Sequence, residues 1–284
     1  MSNPAFVTTQ WLAAHLGDPD LVVVDGTWHL PTLNRDALAE YKAAHIAGAA
    51  FFDIDAISDA GSSLPHMLPD PIVFSSAMRK LGIGDGMRLV VYDGAGLFSA
   101  PRVRWTLLAF GVRDVTILEG GMPKWLAEGR PTEDGVPYRR PRHFTARLDH
   151  GAVALVDDVR SALASGSAQV IDARSVERFA GSAPEPREGV RAGHMPGSLN
   201  VPFTMLTSEG GLKSPAELEQ AFVHAGVDLD KPVITTCGSG VTAAILALAL
   251  ESTGRRVQGL YDGAWAQWGA RDDLAVETGP GPKT

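Results

Sequence analysis

The sequence contains a single cysteine, Cys237, among 284 residues. A lone thiol excludes a disulfide within the chain, and it also excludes a zinc site built from several thiolates. No second thiol of the chain can resolve an oxidised Cys237, so a reducing compartment is the expected environment. No group of His, Cys and Asp residues has the spacing of metal ligands, and we expect neither a metal nor another cofactor.

Long apolar runs are also missing. The longest covers residues 243–250, whereas a membrane-spanning helix needs about 20 apolar residues. Residues 1–10 contain neither a basic region nor an apolar stretch, so no secretory signal is visible. We therefore expect a cytoplasmic protein that has no membrane partner.

Positive charge is in deficit, with 25 Lys and Arg against 33 Asp and Glu and a formal net charge of −8 at pH 7. Non-specific nucleic-acid binding needs a basic surface, so a nucleic-acid partner is not expected. A local basic pocket for a small anion is compatible with this balance. The length and the 45% hydrophobic content suit a globular chain of two domains, each with its own core.

A repeat organises the sequence. Four landmarks of the first half return in the second half at offsets of 147, 149, 144 and 142 residues. The pairs are Asp25 with Asp172, His45 with His194, Asp93 with Cys237, and Gly121 with Gly263. Such nearly constant spacing indicates a duplicated α/β unit, and strands alternate with helices in each half. We expect two mainly parallel sheets with helices on both faces, in domains at 1–129 and 150–284 joined by a polar, Pro- and Gly-containing linker at 130–149.

The cysteine stands between a predicted strand, Val233 to Thr236, and an Ala/Leu-rich helix that begins at Ala243 and is closed by Gly254. Open α/β sheets bind ligands at the carboxyl ends of their strands, where loop N–H groups and the first helical turn favour negative charge. Such surroundings stabilise a thiolate, the nucleophilic form of cysteine. A buried, inert cysteine is the alternative. The glycines that flank Cys237 in the loop favour the reactive form.

The two copies differ where chemistry is concerned. The first has Asp93 in place of Cys237 and therefore lacks a nucleophile. Its loop between residues 54 and 71 spans 17 steps, against 12 between the matching residues 203 and 215. A long polar loop that contains carboxylates and a histidine is a candidate functional loop.

This arrangement, with an inactive first copy and a cysteine in the second, resembles the two-domain rhodanese-type sulfurtransferases. The resemblance covers nearly the whole chain, from residues 25–28 to residues 261–265. The loop Cys237-Gly-Ser-Gly-Val-Thr242 is similar to that of the 3-mercaptopyruvate sulfurtransferases, whereas thiosulfate-preferring rhodaneses carry Cys-Arg-Lys-Gly-Val-Thr. The resemblance implies two tandem rhodanese-like domains and transfer of sulfur from 3-mercaptopyruvate, through a Cys237 persulfide, with release of pyruvate. The implied acceptor is a thiol, such as thioredoxin or a small thiol, or cyanide.

The family's residue roles carry over to matching positions. Cys237 would be the nucleophile, and Ser239, His66 and Asp55 would form a proton relay, with His66 and Asp55 reaching across from the first domain. The implied substrate-binding residues are Arg178, Arg187, Gly238, Gly240, Val241 and Thr242.

The two arginines suit an α-keto acid because a planar guanidinium can bind a carboxylate through two hydrogen bonds. From the residues alone, the alternative is that Arg178 and Arg187 form surface ion pairs with Glu177, Glu185 or Glu188.

Three other functions come from different classes. A cysteine phosphatase needs a Cys-x5-Arg loop, and the required position holds Ala243, so this function is excluded. A thiosulfate sulfurtransferase remains open, as does a non-enzymatic module that carries a persulfide. An inactive module tends to lose its nucleophile, as the first copy has done, whereas Cys237 is intact.

Overall fold

The computed structural model describes residues 5–281 and divides the chain into two compact units. The first unit comprises the described residues up to Ala60, then Leu68–Asp149 and Glu209–Gly211. The second comprises Gly61–Met67, His150–Ser208 and the described residues from Leu212 onwards. Residues 61–67 belong to the second unit, although the sequence on either side of them belongs to the first. Residues 209–211 belong to the first unit, although the sequence on either side of them belongs to the second.

The first unit is built on a five-stranded sheet. Its strands are β1 (Phe6–Val7), β2 (Leu21–Asp25), β3 (His45–Ile46), β4 (Ala50–Phe51), β5 (Arg88–Tyr92), β6 (Val115–Leu118) and β7 (Thr132–Glu133). Its helices are α1 (Thr9–His15), α2 (Ala37–Ala43), α3 (Pro71–Lys80), α4 (Ala100–Ala109) and α5 (Gly121–Ala127), with a 3-10 turn at Pro31–Leu33. The sheet order is β1-β6-β5-β2-β4 and its neighbours are parallel, while β3 and β7 form an antiparallel pair. Every residue of β2 is buried, as expected for a strand of a parallel sheet covered on both faces.

The second unit is built on a sheet of the same size. Its strands are β8 (Val153–Ala154), β9 (Gln169–Asp172), β10 (Leu199–Asn200), β11 (Thr207–Ser208), β13 (Val233–Thr236) and β14 (Val257–Tyr261), and the short strand β12 (Gly211–Leu212) has its first residue in the first unit and its second in this one. Its helices are α6 (Val156–Ser165), α7 (Val176–Phe179), α8 (Pro215–His224), α9 (Ala243–Ser252) and α10 (Ala264–Trp268), with 3-10 turns at His150–Ala152 and Phe203–Met205. The main sheet has the order β10-β9-β13-β14-β8 with parallel neighbours.

The two sheets repeat one topology. Reading β4-β2-β5-β6-β1 beside β10-β9-β13-β14-β8 matches each strand of the first unit with the strand at the same place of the repeat in the second. Trp125 lies in the core of the first unit and Trp268 in that of the second, at matching places in the repeat. The predicted duplication and the α/β fold class are confirmed.

The element that carries the cysteine has the predicted bounds. Strand β13 and helix α9 begin and end as the sequence indicates, and all residues of β13 are buried. Gly254 follows the last turn of α9 with a φ of +77°. The N–H groups of Gly254 and Arg255 donate to the carbonyls of Glu251 and Leu250, at 2.9 Å each. This is a Schellman cap, which needs a residue that tolerates the left-handed region.

The segment expected to be a linker, 130–149, is packed along the first unit. Its strand β7 pairs with β3, and Phe144 is buried against Phe74, with ring centroids 5.9 Å apart. The N–H of Arg147 donates to the carbonyl of Phe110, just beyond α4, at 3.0 Å, and the N–H of Asp149 donates to the carbonyl of Ala109, the last residue of α4, at 2.7 Å. Pro, Gly and charged residues predict irregular backbone here, but a few apolar and main-chain contacts hold that backbone on the domain.

Within residues 5–281, no helix is both long enough and apolar enough to cross a lipid bilayer. In the same part of the chain, no group of three or more His, Cys, Asp or Glu side chains is arranged to hold a metal ion.

Candidate active site

Cys237 lies directly after β13 and is buried, with 2% of its surface exposed. Its Sγ accepts a hydrogen bond from the main-chain N–H of Gly240, with an N to S distance of 3.1 Å. Gly240 has a φ of +83°, and this conformation turns the loop back towards the sulfur. An N–H donor in this place can stabilise negative charge that develops on the sulfur.

The first turn of α10 fixes the same loop from its other side. The main-chain carbonyls of Cys237 and Gly238 accept hydrogen bonds from the N–H groups of Trp265 and Ala266, at 2.8 and 3.0 Å. Trp265 is fully buried, so it is a rigid anchor. The nucleophile is therefore held in place before any ligand binds, and little rearrangement is needed at the moment of reaction.

The matching loop of the first unit shows what this backbone can bind. Asp93 takes the place of Cys237, and its carboxylate accepts hydrogen bonds of 2.7–2.9 Å from four main-chain N–H groups. These donors belong to Ala95, Phe98, Ser99 and Ala100. Successive N–H groups that converge on one carboxylate form an anion-binding cradle. The first copy has lost its nucleophile and fills the cradle with its own side chain.

In the second unit the residue at the place of Asp93 is Cys237, whose side chain is shorter and ends in a sulfur atom. Ser239 and Thr242 match Ala95 and Phe98, and their N–H groups donate to no acceptor within the described part of the chain. These groups can serve the anionic sulfur species that form on Cys237. Gly238 and Val241 complete the loop, and Val241 is buried.

His66 meets the cysteine loop within the second unit. It is buried, has a φ of +61°, and its Nδ1 lies 3.1 Å from the main-chain oxygen of Ser239. Because a carbonyl oxygen only accepts, Nδ1 carries the proton, and Nε2 of a neutral ring carries the lone pair. The relay expected from the sequence runs through the hydroxyl of Ser239, whereas this contact is made with its main-chain carbonyl.

Asp55 belongs to the first unit and is exposed. Its Oδ2 accepts a hydrogen bond of 3.0 Å from the indole Nε1 of Trp28, which lies in the same unit. The structure thus gives Asp55 an indole partner, and its part in a relay with His66 stays a prediction.

Arg178, on α7, lies beside the nucleophile. A Cβ atom placed on Gly238 would be 2.8 Å from Nη2 of Arg178, so the guanidinium occupies the space that a side chain at position 238 would need. Glu185 holds this guanidinium through two hydrogen bonds, Nε to Oε1 at 3.2 Å and Nη2 to Oε2 at 2.5 Å. The ion pair expected from the residues alone therefore forms, with Glu185, and the carboxylate-binding role of Arg178 stays a prediction.

Arg187 lies two residues after Glu185 in the irregular segment that follows α7, and it is half-buried. Its role in binding a carboxylate stays a prediction.

Sequence reasoning missed a buried arginine, Arg174. Its Nε and Nη2 bind Oδ2 of Asp172 at 2.9 and 2.6 Å, and its Nη1 binds Oε1 of Glu185 at 2.8 Å. Burial works against the charged guanidinium, but the carboxylates of Asp172 and Glu185 outweigh it and raise the pKa of Arg174. The repeat contained a signal for it, because Asp172 matches Asp25 while Arg174 stands where the first copy has Thr27.

Comparisons with known proteins identify the family of the chain. The Rhodanese-like domain family matches residues 8–128 and 155–271. A 3-mercaptopyruvate sulfurtransferase of Escherichia coli strain K12 is 48% identical over 278 residues, which cover 98% of this chain and 99% of the relative. The Homo sapiens protein of the same name is 42% identical over 286 residues, with 98% and 96% covered. The crystal structure of SseA from Escherichia coli, described as a 3-mercaptopyruvate sulfotransferase with the rhodanese fold, matches with a TM-score of 0.86 and 45% identity, covering 93% of this chain and 99% of that chain. Because both copies match and the relatives are covered almost end to end, the chain belongs to the family of rhodanese-type sulfurtransferases.

Proposed function

We propose that this chain is a 3-mercaptopyruvate sulfurtransferase. It takes sulfur from 3-mercaptopyruvate onto Cys237 as a persulfide, releases pyruvate, and passes the sulfur to a thiol or to cyanide. The observation that carries the proposal is a cysteine loop without side-chain charge, with the guanidinium of Arg178 lying against Gly238. An α-keto acid presents the carboxylate that a guanidinium binds well. Thiosulfate has no carboxylate, and its recognition would need positive charge within the loop itself.

The first half-reaction is a displacement at sulfur. The Cys237 thiolate attacks the sulfur of 3-mercaptopyruvate and forms an S–S bond while the C–S bond of the donor breaks. The bonding electrons leave with carbon as the enolate of pyruvate, and the donor's thiol proton is transferred to that enolate carbon. The products are pyruvate and the Cys237 persulfide anion, which the N–H groups of the loop stabilise.

Proton transfer in this step is assigned to the groups beside the loop. Nε2 of His66 is the proposed base, since Nδ1 donates to the carbonyl of Ser239. The Ser239 hydroxyl stands next to the nucleophile, and Asp55 is proposed to orient or charge-balance the imidazole. Arg178 and Arg187 hold the carboxylate, and the keto oxygen gains the charge that builds up on the enolate.

In the second half-reaction an acceptor thiolate, or cyanide, attacks the outer sulfur of the persulfide and regenerates the Cys237 thiolate. Thioredoxin and small thiols are the proposed thiol acceptors. This chemistry needs reduced thiols, in keeping with a cytoplasmic location.

The test is to incubate the protein with 3-mercaptopyruvate, first without and then with excess thiol. Without acceptor, intact mass should rise by one sulfur atom, and dithiothreitol should reverse the increase. With acceptor, pyruvate should accumulate over many turnovers. The matched variant is Cys237→Ser, which removes the chain's only thiol and should show neither effect. Turnover by Cys237→Ser would overturn the mechanism, and a larger kcat/KM with thiosulfate would replace the proposed donor.

A further inference from the structure

A row of four charged side chains in the second unit ends at the cysteine loop. Asp172 binds Arg174, Arg174 binds Glu185, and Glu185 binds Arg178 through both of its oxygens. Arg178 then lies against Gly238. The charges alternate in sign along the row, and each neighbour is within hydrogen-bond distance of the next.

Burial separates the inner members of the row from the last one. The side chains of Asp172, Arg174 and Glu185 are 1%, 0% and 3% exposed, while that of Arg178 is 26% exposed. Charges removed from water must be paired, so the three inner groups fix one another. Arg174 is held further by stacking over Trp265, at 4.3 Å from the ring centroid, and by a hydrogen bond of 2.9 Å to the carbonyl of Gly193. Only the last cation is open to a ligand.

The first unit shows that the fold does not need this row. Thr27 stands in the place of Arg174, and its N–H and hydroxyl both bind Oδ1 of Asp25, at 2.9 and 2.5 Å. Met122 stands where the second unit has Trp265, since each donates its N–H to the first residue of the matching loop. The same strand order forms with a neutral residue at this position. The arginine is present in the copy that carries the nucleophile and absent from the copy that does not.

We propose that Arg174 is a positioning residue for the donor site, because it fixes Glu185, and Glu185 fixes the guanidinium of Arg178 beside Cys237. This inference rests on the role of Arg178 in the proposed function. Arg174 touches no reacting atom. It shares the charge of Glu185, so that Arg178 keeps a net attraction for an anion. Without Arg174, Arg178 would be the only remaining cation of the row beside Glu185, and its positive charge would be offset in full. The carboxylate of Glu185 would also lose the hydrogen bond from Arg174 that fixes its orientation.

The test measures anion attraction at Cys237 without any sulfur donor. Iodoacetate and iodoacetamide alkylate the thiolate by the same displacement, but only iodoacetate is an anion. The rate constant for iodoacetate divided by that for iodoacetamide therefore reports the attraction for an anion. The variant Arg174→Thr introduces the residue type that the first unit has at this position, where Thr27 donates two hydrogen bonds to Asp25. The ratio should fall about tenfold, within the range measured for side chains of one ion-pair network. In an Arg178→Ala background the same change should alter the ratio less than about twofold, because the group through which Arg174 acts is gone. Arg174→Lys keeps the charge but loses the planar guanidinium, so its ratio should lie between those of the wild type and of Arg174→Thr.

A matched control breaks a similar ion pair elsewhere in the unit. Asp273→Asn removes the carboxylate that binds Arg271 through two hydrogen bonds, at 2.9 and 2.6 Å, on the exposed surface, and it should leave the ratio unchanged. An equal fall in both backgrounds, or no fall in the wild-type background, overturns the proposal. If circular dichroism shows that Arg174→Thr does not fold, Glu185→Gln is measured in both backgrounds, and strictly additive effects overturn it. A coupled ratio in a protein that releases no pyruvate would instead overturn the proposed donor and leave the positioning role in place.

Discussion

Side chains at this site act largely through main-chain groups. The Cys237 sulfur is bound by the N–H of Gly240, and the His66 ring is bound to the carbonyl of Ser239. The second contact settles which ring nitrogen carries the lone pair, and so which atom can accept a proton. Ser239 and Gly240 can be picked out in the sequence because they lie close to Cys237. The sequence does not show that the carbonyl of Ser239 selects the tautomer of His66.

His66→Asn separates the chemistry of the ring from its packing. Asparagine tolerates the left-handed backbone of residue 66, and its amide can donate to Ser239, but it has no basic nitrogen. We expect an unchanged melting temperature and a kcat lowered by about 100-fold, the lower part of the range for general acid–base catalysis. Steady-state kinetics beside a thermal melt would check this. Full kcat in a stable variant would remove His66 from proton transfer and leave Cys237 as the nucleophile.

The arginine network lies beyond what single residues reveal. Arg178 and Arg187 are predicted from their place in a motif, whereas Arg174 and its partner Glu185 become neighbours only when the irregular segment after α7 folds back. No periodicity predicts that path, because the segment is neither helix nor strand. The comparison of Arg174 with Thr27 is the one sequence signal for it.

Among the elements, the strand–loop–helix of each unit is the most informative. The sequence predicts its bounds well in the second unit because a β-branched run, a glycine loop and an Ala/Leu helix succeed one another. It predicts the segment 130–149 less well, since Pro and Gly indicate irregular backbone without indicating that Phe144 anchors this backbone in the core. Whether an irregular segment is loose or packed depends on a few distant apolar contacts.

The two loops should differ in what their central side chain contributes to stability. Asp93→Ala leaves four main-chain N–H groups without their carboxylate. We expect the free energy of unfolding to fall by about 3 kcal/mol or more, because each unsatisfied buried donor costs roughly 1–3 kcal/mol. Cys237→Ala removes the acceptor of one N–H and should cost about 1–2 kcal/mol. Urea denaturation of both variants beside wild type would measure this. Equal losses would mean that the carboxylate is not what holds the first loop together.

For the molecule as a whole, duplication supplied two copies of one scaffold, and each copy provides different hydrogen-bond partners for the aspartate that ends its second strand. Asp172 is paired with an arginine, whereas Asp25 relies on Thr27. Burial raises the pKa of Asp25 despite hydrogen bonds from Thr27 and Tyr92 that lower it, and the nearby Asp93 adds to the rise. The first unit thus contains a carboxylate that is costly to ionise.

This predicts a pH-dependent stability. Because the folded-state pKa of Asp25 is raised, its protonation stabilises the folded protein below the unfolded pKa, and that contribution is lost as pH rises through the folded pKa. Asp25→Asn keeps an oxygen for Thr27 and removes the charge. We expect the melting temperature of the variant to be higher than that of the wild type at pH 7. The difference should shrink as the pH is lowered towards 4, near the usual pKa of an aspartate, about 3.9. A difference between the two proteins that is constant with pH, or that grows on acidification, would contradict the assignment.

The contact between Arg178 and Gly238 also constrains how such a chain can evolve. A side chain at position 238 needs the space that Nη2 of Arg178 occupies, so the guanidinium has to move before that side chain fits. The effect of a change at residue 238 therefore depends on residue 178, which makes the two positions epistatic. We expect a lineage that alters the loop to alter the setting of Arg178 with it, so that donor preference is inherited through a pair of positions and not through the loop alone.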